Sequence, residues 1–475
     1  MFYIKNERNK WILIYFCFAL ISFVLRYYLF DGRNSWFDEW HTIYVADPNI
    51  SSSETLKRFW GDKGDMFLTE YYPPLYVFLL KIFFKLFGYI DDSGRFFSLI
   101  FGTLTVPLSI ILASYFSKSK TVILYVGFFI SFNLFLIWQS LEIRAHSLVV
   151  FTTLLNLILF LEIINKNSKI KIFFYYLISV INLSLWPITG LIFIGKSIYL
   201  IKEMIYKKKF FYDKFFIFFS ILLTYIIFNF DYLVHNIGRD FHYTAFSKTF
   251  FYNYHFRTFF GSIFNGGVFL LFFGLFFVKN FKNFILTNQK ENILIYIIIS
   301  TYLITIIYSF TRATIMSPKY VIFLVPIIII WLVIQLSKIK YSKYVLFLFG
   351  VLALANYLIN INNYPMARPP TKEALLYLDK KDTKYIFTVE PEIYNNYLKT
   401  KKIYKRNNFK FVEIKDIPVN KKFWFICLNN PRFAVGNKIL PTEKKCKMFE
   451  NDDNFLLNQK IALPDIILQE YIKKN

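Results

Sequence analysis

The chain has 475 residues, 56% of them hydrophobic and 22% aromatic, with 60 Phe; that is too apolar for a soluble globular domain of this length. Its formal charge of +25 does not make it a nucleic-acid binder, because the lysines fall in short segments between apolar runs, where the positive-inside rule puts them. The fold class this defines is a polytopic α-helical membrane protein.

The first apolar run, Trp11 to Phe30, is too long for a signal-peptide core and lacks a small-residue cleavage site, so it reads as the first span. After it come WFDEW at 36–40, a polar stretch at Asn49–Ser53 and YYPPLY at 71–76. Pro74 to Tyr89 (PLYVFLLKIFFKLFGY) is apolar but short, and Lys81 and Lys85 stand four residues apart on one helical face. The spacing predicts an amphipathic helix lying along the interface, with Pro at its first turn. Further spans are expected at 95–116, 121–138, 147–164, 171–185, 187–205, 214–230, 258–278, 292–310, 319–337 and 343–361, eleven in all. With the N-terminus inside, the inner loops carry nineteen Lys and Arg and the short outer loops six, which favours N-in and C-out. A crossing by 74–89 would move the Lys-rich loops outside, against that rule. The outer loops then include 31–94, 138–148 (WQSLEIRAHSL) and 231–257, the last holding His235, His242 and His255.

From about Tyr364 the chain turns polar and rich in Lys and Asn. YIFTVE and KKFWFICL read as strands and TKEALLYL as a helix, so residues 364–475 are expected to form a small extracytoplasmic α/β domain behind a membrane module of residues 1–363. Cys17 lies inside the first span as packing. Cys427 and Cys446 either pair, if that domain is extracytoplasmic, or stay as two thiols; spacing does not decide. No inverted repeat of the transporter kind is evident.

Loop carboxylates beside a membrane are ordinarily solvated and silent. Asp38 and Glu39 stand out because they follow the first span closely, are bracketed by Trp36, Phe37 and Trp40, which favour headgroup depth, and share their loop with a cationic helix. Carboxylate and cation together at an interface suit a lipid-linked anionic substrate. The carboxylate takes a proton from an attacking hydroxyl, and the cation holds a phosphate whose charge grows as it departs. Arg144, beside Glu142, is the leading cation, able to clamp a phosphate through two hydrogen bonds; the plain alternative is a helix-end charge snorkelling to the interface.

The ordered set WFDEW, YYPPLY, WQSLEIRAHSL and SPKYVIFLVP (317–326) resembles the GT-C superfamily of membrane glycosyltransferases, in the branch of protein O-mannosyltransferases and the lipid A aminoarabinose transferase. The resemblance covers about 1–365; the C-terminal domain fits loosely. Tyr72 stands where the family often has His, Ile143 where it has Ala, His146 where Tyr is common, and Lys319 where Arg is frequent, which keeps charge but loses the bidentate fork. The resemblance implies an inverting transfer, in one displacement, of a sugar from a polyprenyl-phosphate carrier to an extracytoplasmic glycan, lipid A or core, or protein acceptor. It implies Asp38 as the base, with Glu39 orienting the acceptor or helping to hold a metal. It puts Arg144 at the donor phosphate; Lys81, Lys85, Lys319 and Tyr72 are further candidates for donor contact, and Glu142, His146 and His41 for acceptor binding or support. Adjacent acids do not easily flank one sugar ring, which needs at least ~5 Å between carboxylates; one base and a phosphate leaving group fit better.

For Lys81 and Lys85 the preferred reading is that they simply face headgroups, with help in drawing in the phosphate as the alternative. Lys196 is an ionisable residue within a span, expected to face a cavity. Arg239 and Arg257 are further phosphate candidates. His235, His242 and His255 match no ligand spacing, so no metal or other cofactor is expected to be required, a divalent ion being the lesser reading. The expected partners are the donor lipid, membrane lipids and the acceptor, and the expected place is a bacterial cytoplasmic membrane. A flippase for a lipid-linked sugar is the alternative, but it should place broken helices and polar groups near the midplane. A non-catalytic assembly or receptor subunit would tolerate loss of Asp38.

Overall fold

The apolar segments identified above form helices, three of them interrupted. The computed structural model describes residues 2–30, 34–35, 37–60, 72–165, 168–208, 211–236, 250–286, 289–312, 315–361, 370–381, 384–388, 391–400, 409–428, 446–450, 452–463 and 466–474. Trp36, Tyr71, Arg239, His242, Lys248 and the side chains of Phe37 and His235 lie outside that set.

In chain order the helices are α1 (Phe2–Tyr27), α2 (Phe37–Val45), α3 (Ser52–Trp60), α4 (Leu75–Phe87), α5 (Asp91–Ser114), α6 (Lys120–Ser131), α7 (Leu134–Gln139), α8 (His146–Asn165), α9 (Lys169–Leu185) and α10 (Leu191–Lys207). They continue as α11 (Tyr212–Phe228), α12 (Phe230–Asn236), α13 (Arg257–Phe260), α14 (Ile263–Leu286), α15 (Asn292–Thr311), α16 (Leu324–Ser337), α17 (Ser342–Asn360), α18 (Thr371–Asp379) and α19 (Pro391–Thr400). By length and composition, α5, α8, α15, α17 and the Ile263–Phe281 part of α14 can cross a membrane, and Trp11–Tyr27, Lys120–Ser131 and Leu324–Ser337 are shorter apolar helices. The chain is a multi-helix membrane protein.

Three expected spans are interrupted. The segment 121–138 splits because Asn133 caps α7, its Oδ1 accepting from the Leu136 amide at 2.9 Å. The segment 258–278 is broken at Gly261, whose φ of +80° is costly for any residue with a Cβ. The segment 319–337 becomes helical only at Leu324, after turns at 318–323. Helix α4 has 13 residues, about 20 Å of rise against a hydrocarbon core of roughly 30 Å, in keeping with a helix lying at an interface.

Two compact units interleave along the chain: residues 1–31, 69–78 and 95–361 form one, and 32–68, 79–94 and 362–475 the other. The linear division expected near residue 363 therefore misses that most of the first loop belongs with the C-terminal residues. In the first unit α10 packs on α15, α8 on α9 and α16 on α6. Polar side chains tie its helices together: Thr152 Oγ1 donates to Asn182 Oδ1 at 2.8 Å, Asn156 Nδ2 to Ser179 Oγ at 2.6 Å and Asn229 Nδ2 to Ser184 Oγ at 2.9 Å.

The second unit is built on a five-stranded sheet of β1 (Tyr385–Phe387), β2 (Lys410–Val412), β3 (Lys422–Leu428), β4 (Phe455–Leu463) and β5 (Ile466–Lys473), in the order β2-β1-β3-β5-β4. β1 runs parallel to β2 and β3, and β5 antiparallel to β3 and β4. After Lys421 and Lys422, the part of KKFWFICL from Phe423 to Cys427 is apolar without alternation because both faces are covered. Trp424 and Ile426 enter a cluster with Trp40, Leu375, Tyr394 and Leu468, while Phe423, Phe425 and Cys427 enter another with Phe387, Phe449 and Tyr471. Trp40 of the first loop is thus a core residue of the sheet domain, the reason for the interleaving. Cys427 and Cys446 form a disulfide, resolving the open choice between a bridge and two thiols.

The bridge closes a loop with a sequence separation of 19, so Cys427→Ser is expected to destabilise the sheet domain by about 3 kcal/mol. Amide exchange over 422–428 reads this. Unchanged protection would contradict it.

Candidate functional site

In the first unit, the stretch WQSLEIRAHSL becomes the end of α7, a turn and the start of α8. Within it Gln139, Glu142 and His146 are buried. A carboxylate out of water needs hydrogen bonds and opposite charge, and Glu142 has both. Gln139 Nε2 donates to its Oε1 at 3.1 Å, while Lys319 Nζ and His146 Nδ1 lie 3.6 and 3.8 Å from Oε2. Glu142 therefore fixes the turn and draws in the SPKYVIFLVP segment.

Arg144, half-buried on the same turn, has its guanidinium 5.1 Å from the centroid of the Tyr72 ring. Tyr72 packs on Trp186 at 5.6 Å, His146 meets the same indole edge-on at 5.6 Å, and Trp186 packs on Tyr320 at 5.4 Å. Trp186 Nε1 also donates to Tyr320 O at 2.9 Å. Three of the four motif stretches thus converge here: Tyr72 from YYPPLY, Glu142, Arg144 and His146 from the turn, and Lys319 with Tyr320 from the late segment.

One buried arginine braces the turn, and a second lies near it. Arg95 Nη1 donates to Leu141 O at 3.2 Å. Arg26, fully buried in α1, donates through Nη1 to Ser22 O at 3.2 Å and Ser22 Oγ at 2.5 Å, and its Nε and Nη2 have no hydrogen-bond partner among the described residues. It sits against Gly102 and Ser140: a Cβ on Gly102 would lie 3.3 Å from Arg26 Nε and 2.2 Å from Ser140 Cβ. Sequence reasoning missed Trp186, Tyr320 and Arg26. Arg26 was signalled, as a charge inside an apolar run; Trp186 was not, among so many aromatics.

In the second unit, Asp38 and Glu39 occupy the first turn of α2, where the helix dipole favours negative charge. Asp38 is exposed and Glu39 is buried. Thr42 Oγ1 donates to Asp38 O at 2.8 Å. His41 is buried. The α2 carbonyls that lack helical partners are met by side chains: Tyr89 OH donates to Ile43 O at 2.9 Å and Arg58 Nη1 to Tyr44 O at 3.0 Å. Burial, then the charge of Asp47, pushes the Tyr89 hydroxyl well above its ordinary pKa, so it stays a donor.

Several expectations are corrected. Lys81 and Lys85 do not share a solvent face: Lys85 is exposed, but Lys81 is buried. Lys81 Nζ donates to Ile50 O at 2.7 Å, Ser51 O at 3.2 Å and Thr55 Oγ1 at 2.8 Å. All three donors of its ammonium are spent on the start of α3, leaving none for a donor phosphate. Lys196 is buried and enclosed; it is hydrogen-bonded to Asn156 Oδ1 and to Tyr175 OH at 3.3 Å, with the Phe160, Tyr175 and Phe193 rings at 4.9, 4.9 and 5.0 Å. His255 is buried among aromatics with Nε2 at 2.8 Å from Tyr302 OH, and Arg257 is exposed. Among the described residues no group of three His, Cys, Asp or Glu could hold a metal ion.

This fold is shared with solved structures of low sequence identity. Two of the solved structures it resembles are of ArnT from Cupriavidus metallidurans. The form bound to undecaprenyl phosphate matches with a TM-score of 0.57 at 10% identity over 97% of this chain and 98% of that one. The apo form matches with a TM-score of 0.56 at 10% identity over 98% of each. No family model and no curated protein matches the sequence. The chain has the fold that the four motif stretches led one to expect.

Lys319→Met is expected to destabilise the protein by about 2 kcal/mol, less than the roughly 3–5 of a fully buried broken pair, because Lys319 is 37% exposed and screened. Adding Glu142→Gln should recover most of the loss in a thermal-unfolding assay; an undisturbed single variant would contradict the pairing. Lys81→Met is expected to lower stability by about 3 kcal/mol with donor KM unchanged. A raised KM with normal stability would return Lys81 to phosphate binding.

Proposed function

We propose that the protein is an inverting glycosyltransferase that moves a sugar from a polyprenyl-phosphate carrier to an extracytoplasmic acceptor. The observation that carries this reading is the fold it shares, over 97% of its length, with ArnT, whose structure holds undecaprenyl phosphate. An exposed aspartate at a helix N-terminus and an arginine stacked on a tyrosine ring support it.

In the proposed step the acceptor oxygen attacks C1 of the sugar, the bond from C1 to the phosphate oxygen breaks, and the carrier leaves as polyprenyl phosphate. Asp38 takes the acceptor proton, and Glu39 orients the acceptor. Arg144, supported by Tyr72 and Lys319, receives the phosphate charge as it develops. Glu142 and His146 hold the Arg144 turn in place, and His41 supports the acid helix. The acceptor is a surface glycan, lipid A or its core, or a protein. The protein lies in a bacterial cytoplasmic membrane with its N-terminus inside and the sheet domain outside. No metal enters the step as written; EDTA treatment separates it from one in which Glu39 holds a divalent ion.

Purified protein in nanodiscs, given a labelled polyprenyl-phosphate sugar and membranes of its host, is expected to transfer label. Asp38→Asn should lower kcat about 100- to 10,000-fold without loss of folding. Arg144→Ala should raise donor KM about 10- to 100-fold, with partial recovery in Arg144→Lys. Movement of the carrier between leaflets without transfer would identify a flippase instead.

A further inference from the structure

The chemistry above gives the sheet domain no part, yet one helix of that domain holds the helix that bears Asp38 at two points. The acid helix α2 has nine residues, too few to be stable alone. In its middle, Trp40 is buried in the sheet-domain cluster, its ring edge-on to Tyr394 of α19 at 5.3 Å. At its end, Ile43 O accepts from Tyr89 OH, and Asn396 of α19 holds that hydroxyl, with Oδ1 and Nδ2 at 3.0 and 2.8 Å from it. Helix residues step by 100°, so turning Trp40 into the core places Asp38 roughly 200° away, on the opposite face, and Asp38 is exposed while Glu39 is buried. A turn of α2 by one residue would exchange the two acids.

We propose that α19 is the mount of the acid helix, and that Tyr89 and Asn396 are positioning residues acting through Asp38. The proposal rests on the reading of Asp38 as the base. On this view the sheet domain sets which carboxylate faces the substrate, and its loss is a loss of catalytic register rather than of donor binding.

The test uses the full-length protein in nanodiscs and the variants Tyr89→Phe and Asn396→Ala. Amide exchange over 37–45 is expected to quicken about tenfold in each, while exchange in α8 and α15 is unaffected. Transfer should show kcat lowered about tenfold with donor KM unchanged. In an Asp38→Asn background neither change should lower the residual rate further. Unchanged exchange over 37–45 overturns the mount. Faster exchange with kcat intact, or losses that multiply with that of Asp38→Asn, overturns the positioning role. Absence of transfer by the wild type would fell the proposed function instead, and the exchange experiment would then decide the mount alone.

Discussion

The burial of Glu142 governs the first unit. An ionised carboxylate away from water is sustained only by donors and opposite charge around it, and these come from distant parts of the sequence: Gln139 and His146 from the same turn, and Lys319 from far along the chain. Satisfying this one group ties the end of α7, the start of α8 and the segment before α16 together. Arg144 rides on the turn so fixed, against the Tyr72 ring, while Arg95 holds the Leu141 carbonyl. Strain elsewhere is avoided by small residues, as where Gly102 lets Ser140 close on α5.

The second unit answers a different constraint. A short helix with two acids at its first turn cannot hold its own orientation, and the chain solves this by making one of its residues part of the core beside the sheet. Trp40 does for α2 what a disulfide does for a loop: it removes a freedom that local hydrogen bonding cannot remove. Side chains from α3 and the segment after α4 then close the exposed carbonyls of α2. Stability and the presentation of Asp38 thus come from the same contacts.

Much of this was legible from residues. The apolar runs gave the helices, the short apolar run in KKFWFICL and the pattern of TKEALLYL gave strand and helix, and the four motif stretches gave the fold. Interruptions such as Asn133 and Gly261 were less legible, since a cap or a left-handed turn inside an apolar run leaves hydropathy almost unchanged. Lys81 misled because helical spacing places it with Lys85, while the carbonyls of Ile50 and Ser51 that capture it belong to another part of the loop. Lys196 misled because a charge in a span is expected to face a cavity, whereas here aromatic rings and Asn156 enclose it. The place of Trp40 in the sheet domain was illegible, because nothing in WFDEW distinguishes an indole bound for a headgroup layer from one bound for a protein core.

The account's central claim is a single displacement at the sugar carbon, driven by one carboxylate base and released by a phosphate leaving group. The most direct measurement is the anomeric configuration of the product, read by NMR after transfer from a polyprenyl-phosphate sugar of known configuration. The account predicts inversion at C1. Retention would require a covalent sugar–protein intermediate and two displacements, and would contradict it.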